Sequence, residues 1–245
     1  MFKKKKFSLT LISILSVVVL VGVGFAAWII TTPNVEDRQT GTITASGVTD
    51  ARYKLTAAIT NGSIVFGKPS DYRPDSSDWF KPGSDVGDEK LTATLTLTLT
   101  KPDDTALDEE VFKNHLPDTF TFTMNATKED AVDNTGFNAE VTAGRIKNPT
   151  ISYTANGETN ATTKDVTLGT AIEIKKSAFT KGADNKYTLA ITITFAWGNN
   201  GNPYTYFHGK TQTPEFVTEA LGYDKMKTNL EGVGYEVKIA SKANA

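Results

Sequence analysis

Residues 91–100 read LTATLTLTLT and residues 187–197 read YTLAITITFAW. A strict period of two over ten or eleven residues can be satisfied only by a β-strand with one apolar and one wet face. Leu91, Ala93, Leu95, Leu97 and Leu99 form the inner face of the first strand. Tyr187, Leu189, Ile191, Ile193, Phe195 and Trp197 form that of the second. Phe120, Phe122 and Met124 alternate with Thr119, Thr121 and Thr123 in the same way, and Val233, Tyr235, Val237 and Ile239 alternate with polar residues. Threonine, a strand former, fills most of the wet positions. Shorter strands are expected at Ile43–Ala45, Ile151–Thr154, Asp165–Leu168 and Ala171–Ile174. Asn61-Gly62 predicts a hairpin turn joining Tyr53–Thr60 to Ser63–Gly67.

One-sided alternation marks antiparallel sheets packed face to face. Helices are expected at Asp108–His115 and from a Thr213 cap with Pro214 in the first turn to Asn229. They do not alternate with the strands in a βαβ rhythm, so the chain reads as mainly β, an antiparallel β-sandwich with one or two short helices and an N-terminal hydrophobic helix. The expected organisation is a leader over 1–30, a polar linker over 31–42 and a single extracellular domain over 43–245. Lys68–Lys90, rich in Pro, Gly, Ser and Asp, is read as a long loop inside that domain.

The leader carries the address. Lys3 to Lys6 precede Phe7–Ile30, which is uncharged and long enough to span a bilayer core. Lysines on its N-terminal side place the following chain outside the cell. Gly24 and Ala26 stand at the −3 and −1 positions of a signal-peptidase site between Ala26 and Ala27. The segment is therefore either a cleaved signal or a membrane anchor through residues 7–30. The net charge of −2 averages this basic tip with an acidic body, and no basic patch offers a nucleic-acid surface.

The tetralysine followed by an apolar run closing in Val21-Gly22-Val23-Gly24-Phe25-Ala26-Ala27-Trp28 resembles the leader of the TasA and camelysin family, exported Gram-positive proteins processed by a SipW-type signal peptidase. The resemblance covers about thirty residues. Ile29-Ile30-Thr31-Thr32-Pro33 departs from the aromatic-then-acidic start of the family's mature chains. The resemblance implies a secreted jelly-roll β domain that builds matrix fibres or stays at the cell surface.

The chain has no cysteine and only two histidines, His115 and His208. Thiol nucleophiles, disulfides and Cys-ligated metals are excluded, and neither histidine has a neighbour at metal-ligand spacing. There is no HExxH helix, phosphate loop or Gly-x-Ser-x-Gly elbow. No catalytic residue, cofactor or metal site is therefore expected. Asp71, Asp75, Asp78, Asp85, Asp88 and Glu89 either gather oxygen ligands for calcium or are solvated loop charge, and they lack EF-hand spacing. In Trp197–Gly209, WGNNGNPYTYFHG, the residues Trp197, Tyr204, Tyr206, Phe207 and His208 either stack on a glycan or a partner, or plug the end of the sandwich. The functional expectation is a non-enzymatic surface or biofilm-matrix protein forming homo-oligomers, with Gln39–Gly47 pairing onto a neighbour's open edge. The alternative is a tethered module that binds a glycan or calcium.

Overall fold

The computed structural model describes residues 40–50, 52–66, 90–207 and 213–241. It is mainly β, with two sheets. The first has the order β10 (Ile172–Lys175), β6 (Thr119–Lys128), β13 (Gly234–Ser241), β1 (Thr40–Ser46), β4 (Ser63–Val65), with β7 (Ala131–Val132) beside β6. The second has the order β2 (Val48–Thr49), β3 (Lys54–Thr60), β5 (Thr92–Thr100), β12 (Tyr187–Thr194), β8 (Thr150–Thr154), β9 (Ala161–Asp165), with β11 (Thr180–Lys181) also on β12. Every pair is antiparallel except β1 with β13, which run parallel.

The alternating residues meet between the sheets. Leu95, Leu97, Ile191 and Ile193 from the second sheet and Phe120, Phe122, Met124 and Val237 from the first are all buried. Phe195, just beyond β12, lies 4.7 Å from Tyr235 of β13, ring centre to ring centre, and Tyr53 lies 6.5 Å from Phe120. Burying so many aromatic and branched side chains removes apolar surface at about 25 cal/mol per Å², which holds the layers together without crosslinks.

Helices close the ends. α1 (Glu109–Asn114) stacks Phe112 on Tyr187 at the start of β12. At the opposite end lie α2 (Thr135–Thr142), α3 (Pro203–Phe207) and α4 (Pro214–Leu230). The expected cap of α4 is present, with the Phe216 N–H donating to Thr213 Oγ1 at 3.2 Å. At 17 residues this helix is not short.

Several expectations are corrected. Asn61 does adopt the left-handed conformation, with φ of 55°. Yet the turn makes no hairpin, because it hands the chain from β3 in the second sheet to β4 in the first. The strand expected at Asp165–Leu168 ends at Asp165, since Val166 and Leu168 are buried as loop residues that fill the core. β1 begins at Thr40, inside the span read as linker. α2 was not anticipated, because Gly136 and two threonines give it little intrinsic helicity. Packing of Phe137 against Phe195 and Tyr235, at 6.1 and 5.7 Å, supplies what propensity does not.

Burial pushes the phenols of Tyr53, Tyr153, Tyr223 and Tyr235 above the ordinary tyrosine range. An acid with a raised folded pKa stabilises fully below its unfolded value of about 10 and loses that contribution as pH rises beyond it. Melting temperature is therefore expected to fall above about pH 10, with phenolate absorbance from these residues developing together with unfolding. Tyr235→Phe should blunt the fall.

Candidate functional site

Two surfaces of the β structure are built in ways that a bare scaffold does not require. The first is the seat of the N-terminal strand. β1 lies between β13 and β4, with Ile43 opposite Tyr235 and Ser46 opposite Lys238 on one side, and Thr40 opposite Val65 on the other. The strand was expected to pair onto a neighbour's open edge; here it pairs within its own chain, Ile43–Ser46 with β13 and Thr40–Thr42 with β4. Its deep anchor is Ile43, 2% exposed, whereas Thr42, Thr44 and Ala45 are half-buried and Ser46 is exposed. After β1 the chain passes close to β3 at Gly47, where an added Cβ would fall 1.8 Å from the Leu55 carbonyl oxygen.

The second surface is the outer face of the second sheet, a lattice of hydroxyl-bearing residues in register. Residues directly opposite on neighbouring strands share a face. One row runs Thr60, Thr94, Thr192, Ser152, Thr163, and another runs Thr56, Thr98, Thr188, Thr180. Between them the row Ala58, Thr96, Ala190 carries smaller side chains. On one side of β12 the lattice is interrupted. β8 pairs with β12 only over Thr192–Thr194, and β11 pairs with it only over Tyr187 and Thr188. Among the described residues Leu189, Ala190 and Ile191 have no ladder partner on that side. Successive residues of a strand point their N–H and C=O groups to opposite sides, so at least one of these three directs both groups into the gap. A cavity of about 520 Å³ opens there.

The aromatic segment beyond β12 is placed in the interior. Trp197 is 8% exposed, 5.2 Å from Phe66 and 6.3 Å from Tyr223, ring centre to ring centre. Phe207 is buried against Phe216 and Tyr223, and Tyr206 is half-buried with its ring edge to Phe207. These rings plug the end of the core, and Trp197 and Phe207 present no open stacking face. His208 and the side chain of Tyr204 lie outside the described residues, as do Ala26, Ala27, the leader and the acidic residues of 71–89. His115 is exposed at the end of α1. Among the described residues no three His, Asp or Glu side chains converge as a metal site, and no helix is long and apolar enough to cross a membrane.

The chain matches no protein-family model, no curated protein and no solved structure.

One polar cluster lies beneath the helical end. Glu140 of α2 is 0% exposed and receives a forked pair of hydrogen bonds from Arg145, Nε to Oε2 at 2.6 Å and Nη2 to Oε1 at 3.2 Å. Asn229 of α4 donates to Oε1 as well. The Glu140 carboxylate holds the Arg145 guanidinium pKa above its ordinary value. Through Arg145 and Asn229, Glu140 ties the end of α2 to α4. No sequence signal separated it from the exposed glutamates. Nor could the gap beside β12 be found from sequence, because it arises from where β8 and β11 stop pairing.

Proposed function

We propose that this chain is an exported, non-enzymatic structural protein of the cell surface or extracellular matrix of a Gram-positive bacterium, a jelly-roll-like β-sandwich that assembles with its own copies by strand addition. The observation that carries the reading is the seat of β1. This strand begins about ten residues after the segment read as a leader, is anchored by the deeply buried Ile43 and lies in a slot bounded by β13 and β4. The same strand from a second copy can make the same pairings to β13 and β4, and the exchange gives up the passage of Gly47 against Leu55 that ties the strand to its own body. The histidine-poor surface and the fully paired Glu140 favour a structural over a catalytic role.

Electron microscopy and sedimentation of the protein secreted by a Gram-positive host test the reading. The intact secreted chain should form filaments, and a variant lacking residues 27–47 should not, yet should take up a synthetic peptide covering residues 38–48. Monomers under all solution conditions would overturn it.

A further inference from the structure

From the interrupted lattice on the second sheet we infer a binding site for a neutral, hydroxyl-rich ligand, a segment of an uncharged polysaccharide, seated over Ala190 between β8 and β11. Four observations converge there. The first is the cavity of about 520 Å³, within the range of roughly 300–1,000 Å³ typical of small-molecule pockets. The second is its wall, since Ser152, Thr154, Thr180, Thr188 and Thr192 bring five hydroxyls, each able to donate and to accept. The third is its floor, where Ala190 and Ala161 leave room that a larger side chain would fill, and where the unpaired stretch of β12 adds backbone donor and acceptor groups. The fourth is charge. The lining contains no carboxylate, ammonium, guanidinium or imidazole, and its one titratable side chain, Tyr153, is a neutral phenol whose pKa burial raises further.

This chemistry selects its occupant. A phosphate or carboxylate polymer entering the site would lose hydration without gaining an opposite charge. An added peptide strand would find only three unpaired residues between two strands already in place, too short a ladder to hold it. A sugar presents hydroxyls around its rim, and these pair with isolated donors and acceptors at many angles while its C–H faces lie on threonine methyls and alanine. The rows Thr60, Thr94, Thr192 and Thr56, Thr98, Thr188 extend the hydroxyl surface from the cavity across the sheet. Strands stand about 4.8 Å apart and like-facing residues about 6.8 Å apart along each strand, so a bound chain can run on beyond the pocket in register with the lattice.

The test uses the full chain in detergent solution, titrated calorimetrically with laminarihexaose, maltohexaose and cellohexaose, and with polygalacturonate as the charged probe. At least one neutral hexaose should bind and polygalacturonate should not. Ala190→Phe, which fills the floor, should weaken binding at least about tenfold, equivalent to about 1.4 kcal/mol. Thr188→Val with Thr192→Val, which removes two hydroxyls at constant shape, should do the same and decides the matter if the Phe variant does not fold. Ala240→Phe, on the outer face of the other sheet, should bind as the parent does. Failure of all three neutral hexaoses, binding that survives the Thr188→Val, Thr192→Val pair, or preference for polygalacturonate overturns the proposal.

Discussion

Arg145→Ala is expected to destabilise the protein by about 3–5 kcal/mol, the usual result of leaving one member of a buried ion pair without its partner. Glu140 cannot reach water, and loss of the guanidinium removes both of its forked hydrogen bonds. Arg145 is itself only 15% exposed in its side chain, so solvent screening does little to soften the effect. The damage spreads because the pair joins α2 to α4, with Asn229 of α4 donating to Glu140 and Gly222 of α4 lying against Arg145. A Cβ on Gly136 would lie 2.3 Å from the Asn229 carbonyl oxygen, and one on Gly222 would lie 2.8 Å from Arg145 Nη1. Urea unfolding of Arg145→Ala beside the double variant Arg145→Met, Glu140→Gln checks the cause. The double variant should recover a large part of the loss, because it removes the stranded charge together with its partner. Equal destabilisation of the two would mean that lost packing, and not charge, is responsible.

Phe195→Ala should cost a similar amount, about 3–5 kcal/mol, through lost transfer free energy and the cavity left behind. This ring stands where the sheets and the helical end meet, with Phe66 and Phe137 each 6.1 Å away and Tyr235 4.7 Å away, ring centre to ring centre. None of these neighbours can collapse into the space without leaving its own contacts. Leu221→Ala on α4 is the contrasting case. Leu221 is 55% exposed, and its truncation should change stability by about 0.5 kcal/mol or less. Thermal melts of the two variants beside the parent give both values.

The long strands were legible because their side chains state the pleat outright. Leu95 and Leu97 point in and Thr94, Thr96 and Thr98 point out, and only one register satisfies both faces. The partners were less legible. Asn61-Gly62 specifies a reversal of direction, and nothing local in a short segment such as Ser63–Val65 says which sheet it will join. Its apolar Ile64 and Val65 fit either. α2 was hidden because its helicity comes from Phe137 reaching rings more than fifty residues away. The aromatic segment from Trp197 was legible as aromatic but ambiguous as to side, and the structure resolves it by setting Phe66, Tyr223 and Phe216 around Trp197 and Phe207. The gap over Ala190 had no local signal at all, since the alternation of β12 continues through it unbroken and only its neighbours change.

The parallel pairing of β1 with β13 has a mechanical consequence. Thr44 donates a long hydrogen bond to the carbonyl of Tyr235, 191 residues along the chain, and the two strands advance in the same direction from there. The start of β1 and the end of β13 therefore lie at opposite ends of one ladder. Tension applied between them tries to slide the strands past each other, which loads the ladder's hydrogen bonds together instead of peeling them one at a time. β13 is further held by eight residue pairs to β6. In the assembly proposed above, a pull along the fibre would therefore load this ladder in shear.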